Sequence, residues 1–171
     1  MNIGIISDTH DDLSNLKSAI RIFNDRKVKY VVHAGDYVFP GVVKEFNHLD
    51  GKLIGVLGNN DGEKLGLSKS FQEIGGELYG EFCNLKLDNL KIAIYHGTSD
   101  KMTDAIISSQ LYDLVIHGRT HKKRDEKIRD VLVLNPGCAH REFPNIEGEI
   151  ETEPSIIIFD TTRISYQFIR L

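Results

Sequence analysis

Several apolar runs in this sequence end in residue types that bind metal ions or move protons. Residues 2–7 (NIGIIS) lead into Asp8-Thr9-His10, and residues 30–33 (YVVH) into Gly35-Asp36. Residues 53–57 (LIGVL) lead into Gly58-Asn59-Asn60-Asp61, Ile92–Tyr95 into His96-Gly97, and Leu114–His117 into Gly118-Arg119-Thr120-His121. Carboxylate, imidazole and amide oxygen, with no thiolate among them, suit borderline divalent ions such as Mn²⁺, Fe²⁺, Co²⁺, Ni²⁺ or Zn²⁺. A carboxylate between two such ions can bridge them. Ions about 3.5–4 Å apart clamp a phosphate ester, acidify a water and stabilise attacking and leaving oxygens together.

The elements that position these residues follow from hydrophobic pattern. The runs 2–7, 30–33 and 53–57 lack polar alternation, as strands covered on both faces do. Between them lie a helical stripe of Leu13, Leu16, Ile20 and Phe23, N-capped by Asp12, and a shorter helix marked by Val42, Val43, Phe46 and Leu49. Strand–helix–strand–helix–strand implies parallel strands with right-handed crossovers, whose carboxyl ends face one crevice.

The spacing predicts a short helix within 62–82 and paired strands at 85–87 and 92–95 around Asp88-Asn89. A helix over 101–111 and a strand over 114–117 follow. The rest reads as strands over 125–129, 131–134, 156–159 and 164–169, with turns at Asn135-Pro136-Gly137 and Thr161-Thr162. Residues 142–153, with five glutamates and Pro144, read as a solvated loop. An αβ first half and a strand-rich second half predict an α/β fold. Its architecture is a four-layer α-β-β-α sandwich of two mixed sheets flanked by helices, one domain over 1–171.

The bulk numbers limit the function classes. With 171 residues the chain can bury a real core, and its net charge of -4 argues against a nucleic-acid coat or a membrane-surface protein. Cys83 and Cys138 do not make a disulfide framework and read as small core or loop residues of a reducing compartment. The first residues turn acidic too early for a secretory signal, and no apolar run reaches membrane-spanning length, so a cytoplasmic protein is expected.

The order and spacing of DTH, GD, GNND, HG and G-x-TH resemble the calcineurin-like metallophosphoesterase superfamily. More narrowly, the chain is similar to its small single-domain phosphodiesterases, the YfcE-like group, from Asn2 to about Gly137. The resemblance implies two divalent ions, Mn²⁺ first among them, with Ni²⁺, Fe²⁺, Co²⁺ or Zn²⁺ as the others. It assigns Asp8, His10 and His121 to one ion, Asp36 as the bridge, and Asn59 and His96 to the second ion.

Two positions depart from the superfamily pattern. Asn60 stands where many members carry a His that protonates the leaving group, a departure shared by the small NND members. Arg119 stands where G-H-x-H supplies a ligand to the second ion, and a guanidinium has no lone pair to offer. The second ion is therefore expected to bind more weakly, with Asn60 and Arg119 contacting phosphate oxygens.

The resemblance implies a metal-dependent phosphodiesterase in which a metal-bound hydroxide attacks a small phosphate ester in line. Two rivals stand beside it. One is an interaction scaffold on the same fold with a weakened or single-metal site, as in the retromer subunit that resembles these enzymes. The other is a nuclease on long nucleic acid, against which the negative charge and the lack of an aromatic-basic stripe both count.

Individual residues also have plainer readings. Asp8 alone could cap the following helix, and Asn59-Asn60-Asp61-Gly62 could be an ordinary turn. His33 and His117 read as structural, His48 as a surface residue, and His140 is undecided. Lys122-Lys123-Arg124 reads as a solvated charge run with a steering role open to it. The physiological substrate and the oligomeric state, a homo-oligomer included, are not written in the sequence.

Overall fold

The computed structural model describes residues 1–141 and 153–171, so the expected loop at 142–153 lies almost wholly outside the described residues. Strand β1 (Asn2–Ile6) is buried on both faces, as its unbroken apolar run requires. Helix α1 (Leu13–Asp25) turns Leu16, Ala19, Ile20 and Phe23 inward at helical spacing. The Asp12 carboxylate caps it by accepting the Asn15 amide at 3.0 Å. Strand β2 (Tyr30–His33), helix α2 (Pro40–Glu45) with a 3₁₀ turn over Phe46–His48, and strand β3 (Lys52–Gly55) complete the first half.

Helix α3 (Lys64–Glu73) fills part of the irregular stretch, and a two-residue strand β4 (Glu77–Leu78) follows, too short for a pattern to reveal. Strands β5 (Phe82–Leu87) and β6 (Leu90–Tyr95) form the expected hairpin around Asp88-Asn89. Helix α4 (Asp100–Ser108) starts at the Ser99 cap and ends three residues before the expected Leu111. Strands β7 (Leu114–Ile116), β8 (Lys123–Ile128), β9 (Val131–Pro136), β10 (Ser155–Asp160) and β11 (Ser165–Arg170) finish the chain.

The strands form two mixed sheets, ordered β11-β10-β1-β2-β3-β4 and β5-β6-β7-β9-β8. In the first, β1 to β4 are parallel and β10 and β11 antiparallel; in the second, β6, β7 and β9 are parallel with antiparallel edges.

Three cores separate the layers. Leu16, Ile20, Phe23, Val31, Phe46 and Phe71 pack between the first sheet and helices α1 to α3. Ile3, Ile5, Val32 and Ile54 meet Ile92, Ile94, Ile116 and Leu134 between the sheets. Ala93, Val115 and Val133 meet Ile107 of α4 on the far side. Helix–sheet–sheet–helix layering follows from these contacts, and each layer hides an apolar face that water would otherwise meet.

The carboxyl ends of β1, β2 and β3 from one sheet and of β6, β7 and β9 from the other open on a common rim. The end of β9 joins the end of β1 directly: Ala139 N–H donates to Ser7 O at 3.0 Å and His140 N–H to Asp8 O at 3.3 Å. Among the described residues, no helix is long and apolar enough to cross a membrane.

Candidate metal centre

The loops at this rim are held in backbone conformations that L-residues seldom adopt. Asp8, His10, Asp36, Arg119 and His121 have φ of 52°, 45°, 62°, 70° and 58°. Strain of this kind survives only where the surroundings enforce it, and it gathers at functional sites. Here the enforcing bonds are visible. Asp8 N–H donates to Gly35 O at 3.0 Å and His10 N–H to Asp36 O at 3.1 Å, which locks the first two loops together.

Asp61, part of a turn by sequence pattern, organises the Asp36 loop. Its buried carboxylate accepts the backbone N–H groups of Asp36, Tyr37, Val38 and Gly58 at 2.7–2.9 Å. Charge-assisted bonds of this kind aim the loop without touching the site's contents. Gly58 and Gly118 are required by crowding. A methyl at Gly58 would come within 2.8 Å of the Asp36 carboxyl carbon, and one at Gly118 within 2.6 Å of Asp8 Oδ2.

The predicted site residues fall into two groups. Asp8, His10 and His121 bring their donor atoms together, as do Asp8, Asp36 and His96. Asp8 belongs to both, whereas the family resemblance implies Asp36 as the shared position. Asn59 joins the second group through Oδ1, 3.1 Å from His96 Nε2. Asn60 is occupied with Asp36: its backbone N–H and its side-chain Nδ2 each donate to that carboxylate at 2.8 Å. Arg119 is exposed, and its backbone N–H donates to Asp8 Oδ2 at 3.1 Å. The structure thus brings the predicted ligands to one place, with Asn60 and Arg119 at its edge.

Hydrogen bonding decides what the site fits. His96 Nδ1 is 2.7 Å from the Ala34 carbonyl oxygen, which can only accept, so Nδ1 carries the hydrogen. Nε2 then faces Asn59 Oδ1 at 3.1 Å and Asp36 Oδ2 at 3.3 Å. A neutral imidazole would point a lone pair at oxygen lone pairs, so either a proton or a cation must lie between them. Burial opposes charge on His96, but the bond to Asp36 and the charges of Asp8 and Asp36 outweigh it and raise its pKa.

The carboxylates respond in the opposite sense. Burial pushes Asp36 up, yet hydrogen bonding and charge from His96, with the Asn60 donors, hold it down at about 2. Burial likewise opposes ionisation of Asp8, but His121, His96 and Ser7 keep it below the usual range. Asp8 Oδ1 and His10 Nε2 are buried and, among the described residues, have no hydrogen-bond partner. His121 Nε2 lies 3.4 Å from Asp8 Oδ1, and a buried polar atom so poorly satisfied carries a desolvation penalty that a divalent cation would remove. Oxygen and imidazole donors of this number fit borderline divalent ions.

The other histidines divide. His33, fully buried, accepts the Gly35 N–H at Nδ1 (3.1 Å) and places Nε2 3.0 Å from Thr9 Oγ1; burial drives its pKa down to about 3. His117 is buried against Gly118 O and Asn135, and burial lowers its pKa too. His48 is exposed, as expected. His140, undecided from sequence, lies with its ring 4.3 Å from that of His10 and 5.2 Å from that of His121. The signal that could have found it is the parallel pairing of β9 with β7, a fact of topology that local pattern does not carry.

The chain matches the calcineurin-like phosphoesterase superfamily domain over residues 1–163. It is 42% identical over 173 aligned residues to a phosphodiesterase of Methanocaldococcus jannaschii, covering 100% of this chain and 99% of that one. The solved structure of an archaeal phosphodiesterase superposes with a TM-score of 0.89 at 42% identity, covering all of both chains. The YfcE phosphoesterase of E. coli shares the fold at a TM-score of 0.70 and 18% identity, over 99% of each chain. With its strand-end carboxylates and imidazoles gathered on one rim of a two-sheet sandwich, the chain belongs to the calcineurin-like phosphoesterase superfamily.

Proposed function

We propose that the chain is a metal-dependent phosphodiesterase with a dinuclear divalent-metal centre, Mn²⁺ foremost, acting on a small phosphate ester. The observation that carries this reading is the pair of donor groups that share Asp8, with acceptor atoms facing one another at short range. Asp8, His10 and His121 would hold one ion, and Asp36, Asn59 and His96 the other, with Asp8 common to the two donor groups. When bound, the ions would supply Lewis acidity toward the phosphate and activate the attacking water to hydroxide.

The chain's own residues supply orientation. Asn60 fixes both oxygens of Asp36, and Asp61 fixes the loop from which Asp36 projects. Arg119 at the exposed edge offers a planar fork to phosphate oxygens. A small diester is favoured over long nucleic acid because the net charge is -4. The resemblance to a phosphodiesterase over the full chain supports the diester over the monoester.

The test compares a generic aryl phosphodiester with the matching monoester, before and after chelation. The Mn²⁺-loaded protein should hydrolyse the diester faster, and Asp36→Asn should lower that rate by orders of magnitude with the fold intact. Equal rates in chelator-treated and Mn²⁺-loaded protein would remove the metal mechanism. No hydrolysis of either ester would leave the scaffold reading in its place.

A further inference from the structure

The segment after β9 brings a second kind of donor to the rim. Cys138, fully buried, lies with His121 and His140 so that one donor atom from each falls within 4.8 Å of the others. We propose that His121, Cys138 and His140 form an auxiliary site for a thiophilic divalent cation, Zn²⁺ foremost, which draws on His121 in alternation with the candidate centre, since one neutral imidazole offers a single lone pair.

The segment is fastened and not a loose arm. Gly137 turns the chain with φ 84°, its N–H held by Asn135 Oδ1 at 2.9 Å. Ala139 and His140 then donate their backbone N–H groups to Ser7 and Asp8 carbonyls. Donors on a fixed backbone lose little freedom when they bind an ion, which is the condition for an organised site.

Hydrogen bonding also sets the His140 tautomer. Its Nδ1 is 3.2 Å from the Asp8 carbonyl oxygen, so Nδ1 carries the hydrogen and Nε2 keeps its lone pair. A ligating imidazole held through its other nitrogen by a backbone carbonyl is a recurrent arrangement at metal sites. The same contact makes Asp8 the link between the two sites: its carboxylate belongs to the candidate centre and its carbonyl orients His140.

The donor set differs from that of the centre in the property that sorts metals. Two imidazoles and a thiolate favour Zn²⁺, Co²⁺ or Cd²⁺, whereas Mn²⁺ prefers the carboxylate-bearing groups. Zinc bonds of about 2.0–2.3 Å need these donor atoms, which lie within 4.8 Å of one another, to close by roughly 1 Å at most. On binding, the Cys138 sulfur–metal bond forms as the thiol proton leaves to solvent, and a water completes a four-coordinate shell. Cys83 sits in β5 outside this cluster and serves as an internal control.

The inference does not depend on the hydrolytic reading, and its test reads sulfur–metal bonding directly. Metal-stripped full-length protein is titrated with Co²⁺ while the near-ultraviolet sulfur-to-cobalt charge-transfer band is recorded. The band should develop in the wild type and in Cys83→Ser, and vanish in Cys138→Ser. His140→Gln should weaken Co²⁺ binding at this band about tenfold or more. Circular dichroism and retained Mn²⁺ binding show that each variant is folded. Should Cys138→Ser fail to fold, zinc X-ray absorption of the wild type decides: a sulfur neighbour at about 2.3 Å supports the site, and a shell of nitrogen and oxygen alone overturns it. Absence of the cobalt band in the wild type, or its persistence in folded Cys138→Ser, also overturns it.

Discussion

The Nε2 atom of His96 lies 3.3 Å from Oδ2 of Asp36, inside a cluster where a proton and a divalent cation are alternative occupants of the same electrostatic position. The bond to Asp36 and the charges of Asp8 and Asp36 raise the His96 pKa against the cost of burial, which favours a proton there when no metal is bound. Metal binding should therefore expel a proton from His96. Calorimetric titration of stripped protein with Mn²⁺, which avoids the thiol, near pH 6.5 in buffers of different ionisation enthalpy should show net proton release. His96→Gln should reduce that release. An apparent enthalpy independent of buffer would contradict the assignment.

Asp61 gives a second expectation, because its carboxylate gathers four amides that no other side chain could satisfy. Asp61→Asn removes the charge and turns an amide donor toward N–H groups. Hydrogen bonds to charged groups contribute about 1.5–3 kcal/mol each, and the bonds here act as a unit, so a stability loss of about 3 kcal/mol is expected. Because the same bonds aim Asp36, Mn²⁺ affinity should fall about tenfold or more. Denaturant titration and metal-binding calorimetry check the two effects separately. A variant that lost stability but kept full metal affinity would show Asp61 to be structural only.

Gly58 and Gly62 lie four residues apart and should behave oppositely. A methyl at Gly58 would meet Asp36 N at 2.6 Å, while nothing lies within 4 Å of one at Gly62. Gly58→Ala should displace the Asp36 carboxylate and weaken metal binding, and Gly62→Ala should leave it unchanged. Neither glycine has a positive φ, so the difference is crowding and not backbone preference. Similar metal affinities in the two variants would refute the crowding argument.

Much of the candidate site was legible because its donors follow apolar runs, and hydrophobic period locates strand ends well. Asp8, His10, Asp36, His96 and His121 could be named for that reason. Asp61 could not, since its role is to collect amides from a loop whose shape is a tertiary fact. His140 and Cys138 reach the rim because β9 pairs with β7 in parallel, which residue pattern does not specify. That Asp8 belongs to both donor groups depends on side-chain direction, not on spacing. The strand β4 escaped notice because two residues cannot display a period.

His33 predicts how stability depends on pH. Its Nδ1 accepts from Gly35 N–H, so Nε2 carries the hydrogen and donates to Thr9 Oγ1, a neutral arrangement that protonation would break. Burial takes its pKa from 6.5 to about 3. Between those values the unfolded chain binds a proton that the folded chain refuses, so stability falls as pH drops below 6.5. The slope from this one group approaches about 1.4 kcal/mol per pH unit. Denaturation of metal-free protein between pH 6.5 and about 5.5, above the usual carboxylate range, should show a shallower slope in His33→Gln than in the wild type. Equal slopes would mean that His33 is charged in the fold.

Arg119 bears on the balance between the two metal positions. Its φ of 70° and its backbone bond to Asp8 Oδ2 belong to the main chain and survive any side-chain change with the same backbone. Substitution there therefore tests the guanidinium and not the loop. The side chain is exposed, so solvent screens its repulsion of a second ion, and what it withholds is mainly a lone pair. Arg119→His supplies the imidazole that the superfamily pattern gives to the second ion at this position, and should tighten the weaker of two Mn²⁺ affinities about tenfold. Arg119→Ala adds nothing to the metal. If the fork binds phosphate, this variant should raise KM for the diester several-fold and change kcat less. Metal titration read by electron paramagnetic resonance, with steady-state kinetics on the same preparations, separates the two effects. Unchanged second-site affinity in Arg119→His, together with unchanged KM in Arg119→Ala, would remove Arg119 from both roles.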